Sequence, residues 1–126
     1  MIRIMDEDDR KRVLGWLEQR GVPQGMDKVL PEPGYIVNEC CAFFVYTVSN
    51  APVCFIEWVC SDPESKDSVE GLRELAGHCA DIARECEKEG VAVITILSKP
   101  GLCRLFEKSG FRAGCGGETT MVFNGG

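Results

Sequence analysis

The chain has 126 residues, of which 44% are hydrophobic and 27% are charged, and its formal net charge is −6. This length suits one domain with one core, and a negative chain without a basic stripe is not expected to bind nucleic acid. No run approaches the roughly 18 apolar residues of a membrane span, and the acidic start lacks the pattern of a secretory signal. We therefore expect a cytoplasmic protein.

The eight cysteines raise the question of disulfides or a metal site. Cys40 and Cys41 are adjacent, no Cys-x-x-Cys occurs, and His78 is the only histidine. This spacing argues against a structural zinc site, and a chain without a secretion signal rarely forms disulfides. We expect no metal, and we interpret the cysteines as small residues of the core and His78 as a solvated helix residue.

The first part of the chain predicts a strand and two helical segments. Residues 2–4 form a short apolar run typical of a strand, and Asp6 then suits a helix N-cap. Apolar residues at helical spacing predict a helix over residues 7–20. A second helical segment is expected over residues 24–30, before Pro31 breaks the chain.

The next part of the chain is rich in β-branched and aromatic residues and predicts an antiparallel meander. Its three strands are expected over residues 35–37, 42–48 and 53–60. The third is apolar at nearly every position, so both of its faces are expected to be covered. Phe43 and Phe44 are expected in the core or in an interface, and exposed aromatic residues of the meander would support a homodimer.

A long helix with a clear apolar face is predicted over residues 66–88, and a buried strand over residues 91–97 follows it. A strand, a helix and another strand in this order form a β-α-β unit, whose two strands are parallel. The sheet is therefore expected to be mixed and mostly antiparallel, with one parallel pair.

The last part of the chain predicts one helix and two strands. Pro100 opens the helix at a position that tolerates proline, and Gly110 follows its end. One strand is expected from Phe111 and another over residues 119–123, with a turn at residues 114–117. The chain is thus expected to be an α/β domain.

Two segments and the order of the elements resemble one known family. Residues 105–112, Leu-Phe-Glu-Lys-Ser-Gly-Phe-Arg, are similar to a Leu-Tyr-x-Lys-x-Gly-Phe segment that closes its fourth helix, and residues 59–64 resemble its passage from strand to cofactor helix. The order β-α-α-β-β-β-α-β-α-β-β completes the resemblance to the GCN5-related N-acetyltransferases, the GNAT family. The resemblance implies one GNAT domain over residues 1–126, similar to short GNAT-like proteins of bacteriophages and prophages.

The resemblance implies transfer of an acetyl group from acetyl-CoA to an amine of a small molecule or a protein. In this family a β-bulge splays two parallel strands and admits the pantetheine arm, so a gap is expected between the strand ending near Cys60 and the strand beginning near Val91. Backbone N–H groups at a helix start hold the diphosphate. The residues that these matches place along coenzyme A are Val59, Cys60, Ser61, Lys66, Ser68, Gly71 and Phe106.

The resemblance also implies that Glu57 is the general base. Two structural alternatives are an outward-facing Glu57 on a half-exposed strand and a Glu57 paired with an arginine. The tyrosine that serves as acid in the family is replaced by Phe106, and the preceding asparagine is replaced by Lys99. Because a thiolate can leave without a proton donor, these replacements need not abolish transfer.

The loop over residues 66–71 departs from the family pattern Gln/Arg-x-x-Gly-x-Gly/Ala, and only Gly71 matches it. Asp67 and Glu70 bring negative charge to the expected position of the diphosphate, where like charges repel. The same segment also fits an ordinary helix start with an acidic first turn. The alternative function is therefore a catalytically degenerate GNAT-fold protein that binds a protein partner, whereas for an enzyme the acidic surface favours a cationic acceptor.

Overall fold

The computed structural model describes residues 1–97, 99–113 and 120–123. Its strands are β1 (Ile2–Ile4), β2 (Gly34–Val37), β3 (Cys41–Thr47), β4 (Val53–Ser61), β5 (Ala92–Ile96), β6 (Phe111–Ala113) and β7 (Thr120–Phe123). Its helices are α1 (Glu7–Gln19), a 3₁₀ helix (Met26–Val29), α2 (Ser68–Lys88) and α3 (Pro100–Lys108). The strands form one sheet in the order β1-β2-β3-β4-β5-β7-β6.

The predicted fold class and order of elements are confirmed. The sheet is antiparallel except for the pair β4–β5, and α2 connects these two strands as the β-α-β pattern predicted. The segment predicted over residues 24–30 is a shorter 3₁₀ helix, which begins after Gly25 in a left-handed conformation with φ of 85°. The predicted turn over residues 114–117 lies outside the described residues.

Hydrogen-bonded ion pairs link the start of α1 to β1 and to the turn before β3. Asp6 and Asp9 form a capping box, in which each side chain accepts a hydrogen bond from the other residue's backbone N–H. Arg3 of β1 donates to Asp9 at 2.8 Å and to Glu39, in the turn before β3, at 2.8 Å. The hydrogen bond from Arg3 is the main cause that lowers the pKa of Glu39 to about 2.

Helices cover both faces of the sheet. On one face α2 and α3 pack over a core that includes Phe43, Leu75 and Phe106. On the other face α1 packs over a core that includes Trp16 and Phe44. The neighbouring residues Phe43 and Phe44 therefore belong to opposite cores, and both are fully buried.

Burial settles the predictions for the aromatic residues and the cysteines. Phe43 and Phe44 are core residues, so they offer no surface for the dimer that exposed meander aromatics would support; Tyr46 on β3 is 39% exposed. Six of the seven described cysteines are buried, and Cys86 is half-buried. The interpretation as small core residues is confirmed for these seven. In the described ranges, no three metal-ligating side chains cluster, and no helix is long and apolar enough to cross a membrane.

The start of α2 rests directly on the turn before β3. The thiol of Cys40 contacts the carbonyl oxygen of Asp67 at 3.7 Å, and the thiol of Cys41 contacts that of Ser68 at 3.6 Å. A Cβ atom added at Gly71 would lie 2.7 Å from the Cys41 sulfur and 2.8 Å from the Cys40 sulfur. Gly71 is therefore the residue that allows α2 to approach the sheet this closely.

We expect Gly71→Ala to lower the free energy of unfolding by about 1–3 kcal/mol, because the added methyl group overpacks the two sulfur atoms. Gly77→Ala in the same helix is the control, since a Cβ atom there meets nothing within 4 Å. That change is expected to stabilise the chain by up to about 1 kcal/mol, because alanine is the better helix former. Urea denaturation measures both, and equal effects of the two substitutions would contradict the packing role of Gly71.

Candidate active site

The parallel strands β4 and β5 pair over only part of their length. Their register runs from Val53 opposite Ala92 to Ile56 opposite Thr95. Beyond Ile56, β4 continues to Ser61 while β5 ends at Ile96. The pairing thus ends at Ile56, which agrees with the gap expected there from the resemblance, and this end of the strand pair is called the fork.

A β-bulge in β4 stands at the fork. Ala42 of β3 lies opposite Cys60 and Phe44 lies opposite Glu57, so one residue of β3 stands opposite two residues of β4, Trp58 and Val59. Trp58 adopts φ of 58° within this interval, a left-handed conformation that is rare for a bulky residue. The extra residue shifts the alternation of side chains along the strand.

The bulge moves the end of β4 from one layer to the other. Cys54 and Ile56 belong to the core under α2 and α3, as strand alternation dictates. Cys60 follows Ile56 by four residues, so regular alternation would place it in the same core. Instead it belongs to the core under α1, and Trp58 packs against that core too. At the bulge, the even-numbered side chains of β4 therefore change from the layer of α2 and α3 to the layer of α1.

A cleft of about 660 Å³ opens at the fork. Its floor is the end of β4, and its walls come from α1 with the residues after it, from α2, and from the start of α3. The lining residues are Leu17, Arg20, Val22, Glu57, Trp58, Val59, Cys60, Ser61, Leu72, Lys99 and Leu102. Because α1 lies on one face of the sheet and α2 and α3 lie on the other, the cleft extends past the sheet from one layer to the other.

Glu57 lies in this cleft at the bulge. Its side chain is half-buried, and the register opposite Phe44 places it on the α1 face of the sheet, since directly paired residues share a face. No donor among the described residues bonds its carboxylate, and no arginine pairs with it there. A half-buried carboxylate with free lone pairs can accept a proton from a ligand in the cleft.

Val59, Cys60 and Ser61, which the resemblance places along coenzyme A, line the cleft together. Ser61 is fixed by Arg20, whose guanidinium donates to the Ser61 hydroxyl at 3.0 Å and to its carbonyl oxygen at 3.3 Å. Burial raises the pKa of the Cys60 thiol to about 12, although the charge of Arg20 acts in the opposite direction. Cys60 is therefore a protonated wall residue and a poor nucleophile.

Lys66, Ser68 and Gly71 lie at the start of α2 and do not line the cleft. Lys66 is exposed, and the Ser68 hydroxyl already donates to the carbonyl oxygen of Asp62 at 3.0 Å. Ser65 accepts a hydrogen bond from the Asp67 N–H at 3.1 Å, which holds a turn before the helix. This turn explains why α2 begins at Ser68 and not at residue 66.

The first turn of α2 has no side-chain cap. Asp67 occupies the N-cap position, but its side chain accepts no hydrogen bond from the helix. The N–H groups of Val69 and Glu70 therefore point out of the helix start, where the helix dipole favours an anion. The opposing charge of Glu70 is shared with Arg73, which forms an ion pair with it.

Phe106 is not part of the cleft. It is fully buried and forms an edge-to-face contact with Phe111, with 5.1 Å between the ring centroids. The start of α3 contributes Lys99 and Leu102 to the cleft in its place. The described position of Phe106 is that of a core residue.

Arg20, Leu17, Val22, Leu72 and Leu102 line the cleft although the sequence did not identify them as site residues. The sequence did single out Lys99, as the replacement of a family asparagine. Arg20 directly follows α1, where a basic residue is common at an ordinary helix end. Only the path of α1 across the fork shows that Arg20 also lines the cleft.

No protein-family model matches the chain, and no curated protein matches it. Solved structures do match. N-acetylglutamate synthase from Neisseria gonorrhoeae, in complex with coenzyme A and L-arginine, superposes with a TM-score of 0.64 at 17% identity over 98% of this chain. This chain spans only 32% of that protein. A GNAT family N-acetyltransferase, YhbS from Escherichia coli, in complex with coenzyme A, superposes with a TM-score of 0.58 at 19% identity over 98% of this chain and 79% of YhbS.

The third likeness is to a protein with macromolecular partners. AtaTR bound with acetyl-CoA superposes with a TM-score of 0.59 at 14% identity, over 99% of this chain and 92% of the matched chain. A related structure is the AtaT–AtaR complex bound to DNA. Our expectation that nucleic acid is not a partner therefore finds no support in these likenesses and stays a prediction from charge. At identities below 20%, the three likenesses show the fold, and the chain has the GNAT fold that its sequence resembles.

Proposed function

We propose that this chain binds acetyl-CoA at the fork of β4 and β5 and transfers the acetyl group to an amine. The observation that carries the proposal is the parting of the two strands after Ile56, with a cleft of about 660 Å³ at the opening. The structures with the same fold that were solved with coenzyme A or acetyl-CoA support it.

The free edge of β4 suits the pantetheine arm. Beyond Ile56 the backbone of β4 pairs with β3 on one side and has no β5 partner on the other. Unpaired strand groups in a cleft need hydrogen-bond partners, and an arm that contains amides supplies them as an added strand would. Val59 and Ser61 would flank this arm.

The start of α2 suits the diphosphate. The N–H groups of Val69 and Glu70 and the helix dipole favour an anion there, and the exposed Lys66 adds a positive charge nearby. Gly71 would act indirectly, by letting the helix start lie close to Cys40 and Cys41. In this proposal, the backbone of α2 binds the diphosphate and the side chains contribute little.

Glu57 would be the general base. The amine nitrogen attacks the thioester carbonyl carbon, a C–N bond forms, the C–S bond breaks, and Glu57 takes the proton that the nitrogen loses. Coenzyme A leaves as a thiolate, so the transfer needs no hydroxyl at Phe106. The transfer is direct, because the raised pKa keeps the Cys60 thiol protonated and unsuited to carry the acetyl group.

A second candidate is a GNAT-fold protein that binds a protein partner and has lost catalysis. The acidic Asp67 and Glu70 at the helix start, the engaged hydroxyl of Ser68 and the buried Phe106 favour it. A structure of the same fold exists with an antitoxin as partner. The two candidates differ in one measurable property, the affinity for acetyl-CoA.

We expect acetyl-CoA at a hundred times its dissociation constant to stabilise the chain by about 2.7 kcal/mol. Leu72→Trp should abolish this shift, because the larger side chain fills the cleft that Leu72 lines. Val29→Trp, at an exposed site outside the cleft, should keep it. Thermal melting with and without the ligand measures all three, and an unmoved midpoint at millimolar acetyl-CoA would favour the partner-binding candidate.

We expect Glu57→Gln to slow acetyl transfer by a factor on the order of 10², because the amide cannot accept the proton. Glu64→Gln, in the loop between β4 and α2, is the control and should leave turnover unchanged. The measurement is coenzyme A release with a saturating amine, alongside the melting shift with acetyl-CoA, which Glu57→Gln should retain. Unchanged turnover of Glu57→Gln would remove Glu57 from the mechanism.

A further inference from the structure

Two opposite charges line the cleft without pairing. Glu57 and Arg20 are both lining residues, yet among the described residues the Arg20 guanidinium donates only to Ser61 and the Glu57 carboxylate accepts no hydrogen bond. Opposite charges at a shared cavity attract each other. Because neither charge neutralises the other, a ligand that carries both charges can bind to the two of them.

Glu57 lies on the α1 face of the sheet, and Arg20 reaches the end of β4 from the α1 layer. Glu57 pairs in register with Phe44, which belongs to the core under α1. Arg20 directly follows α1, and its neighbours Leu17 and Val22 are apolar wall residues. The start of α2, where the diphosphate is proposed to bind, lies on the other face of the sheet. The wall formed by α1 and the residues after it is thus the part of the cleft that the proposed diphosphate site does not use, and it is left for an acceptor.

Resting on the proposed function, we propose that the acceptor is an amine that also carries a carboxylate, such as a free amino acid with an apolar side chain. Arg20 would bind the carboxylate, since two nitrogens of its guanidinium already bond to Ser61 and hold its plane, and Nη1 has no partner in the described ranges. Glu57 would receive the amine, and Leu17 and Val22 would contact the side chain. The cleft therefore selects a zwitterion, although the net charge of the chain alone favours a cation.

The test compares acceptors that differ only by the carboxylate. L-leucine is paired with 3-methylbutylamine and L-phenylalanine with 2-phenylethylamine, and kcat/KM is measured from coenzyme A release by the full chain. The amino acid of each pair is expected to be preferred roughly two- to fivefold, because Arg20 is exposed and solvent screens an exposed ion pair. Arg20→Met should bring this ratio close to one and leave the KM for acetyl-CoA unchanged. Arg104→Met, at an exposed site on α3 outside the cleft, should keep the wild-type ratio.

Several results would overturn the inference. Equal use of amino acid and amine by the wild-type chain would do so, as would an unchanged preference in Arg20→Met or turnover of none of the four acceptors. A raised KM for acetyl-CoA in Arg20→Met would assign the guanidinium to the cosubstrate instead. In each case a melting shift with acetyl-CoA shows that the proposed acetyl-CoA site survives, whereas its absence in the wild-type chain removes both proposals together.

Discussion

The bulge at Trp58 is the constraint on which the cleft depends. One extra residue in β4 breaks the register with β3 between Phe44 and Ala42 and coincides with the end of the pairing with β5. Without it, β4 would keep its alternation, and Trp58 and Cys60 would face the core under α2 and α3 as Cys54 and Ile56 do. With it, the strand supplies both the gap and the residues that line it, including the carboxylate of Glu57.

The surrounding packing holds this strained strand in place. A left-handed conformation costs a bulky residue on the order of 1–2 kcal/mol, and the contacts of Trp58 and Cys60 with the core under α1 offset this cost. Arg20 adds hydrogen bonds to the end of the same strand at Ser61. The helix that forms one wall of the cleft thus also stabilises the backbone that opens it.

On the other face, α2 is placed by close contact. Gly71 allows the helix start to approach Cys40 and Cys41, whose thiols contact its first carbonyl oxygens. This contact fixes the position of the uncapped first turn relative to the fork. A site of this kind needs few specific side chains, because strand backbone and helix N–H groups would supply most of its polar contacts. Binding through backbone groups is therefore compatible with a loop that matches the family pattern only at Gly71.

The order of elements could be predicted from the sequence because helical and strand periodicities are strong in this chain, as in α2 and β5. The resemblance also implied a bulge and a gap. The position of the bulge could not be predicted. Glycine or asparagine commonly occupies a left-handed position, but here the residue is Trp58. Nor could Arg20 be recognised, since its role depends on where the end of α1 lies relative to β4. The placement of β7 between β5 and β6 is likewise a tertiary outcome that local sequence does not encode.

The central claim is that the fork between β4 and β5 is a coenzyme A site. An NMR titration of the isotope-labelled chain with coenzyme A tests it most directly, because backbone amides report contacts residue by residue. The account predicts shift changes concentrated at Glu57–Ser61 and in the first turn of α2. Changes confined to other surfaces, or none at millimolar ligand, would contradict it.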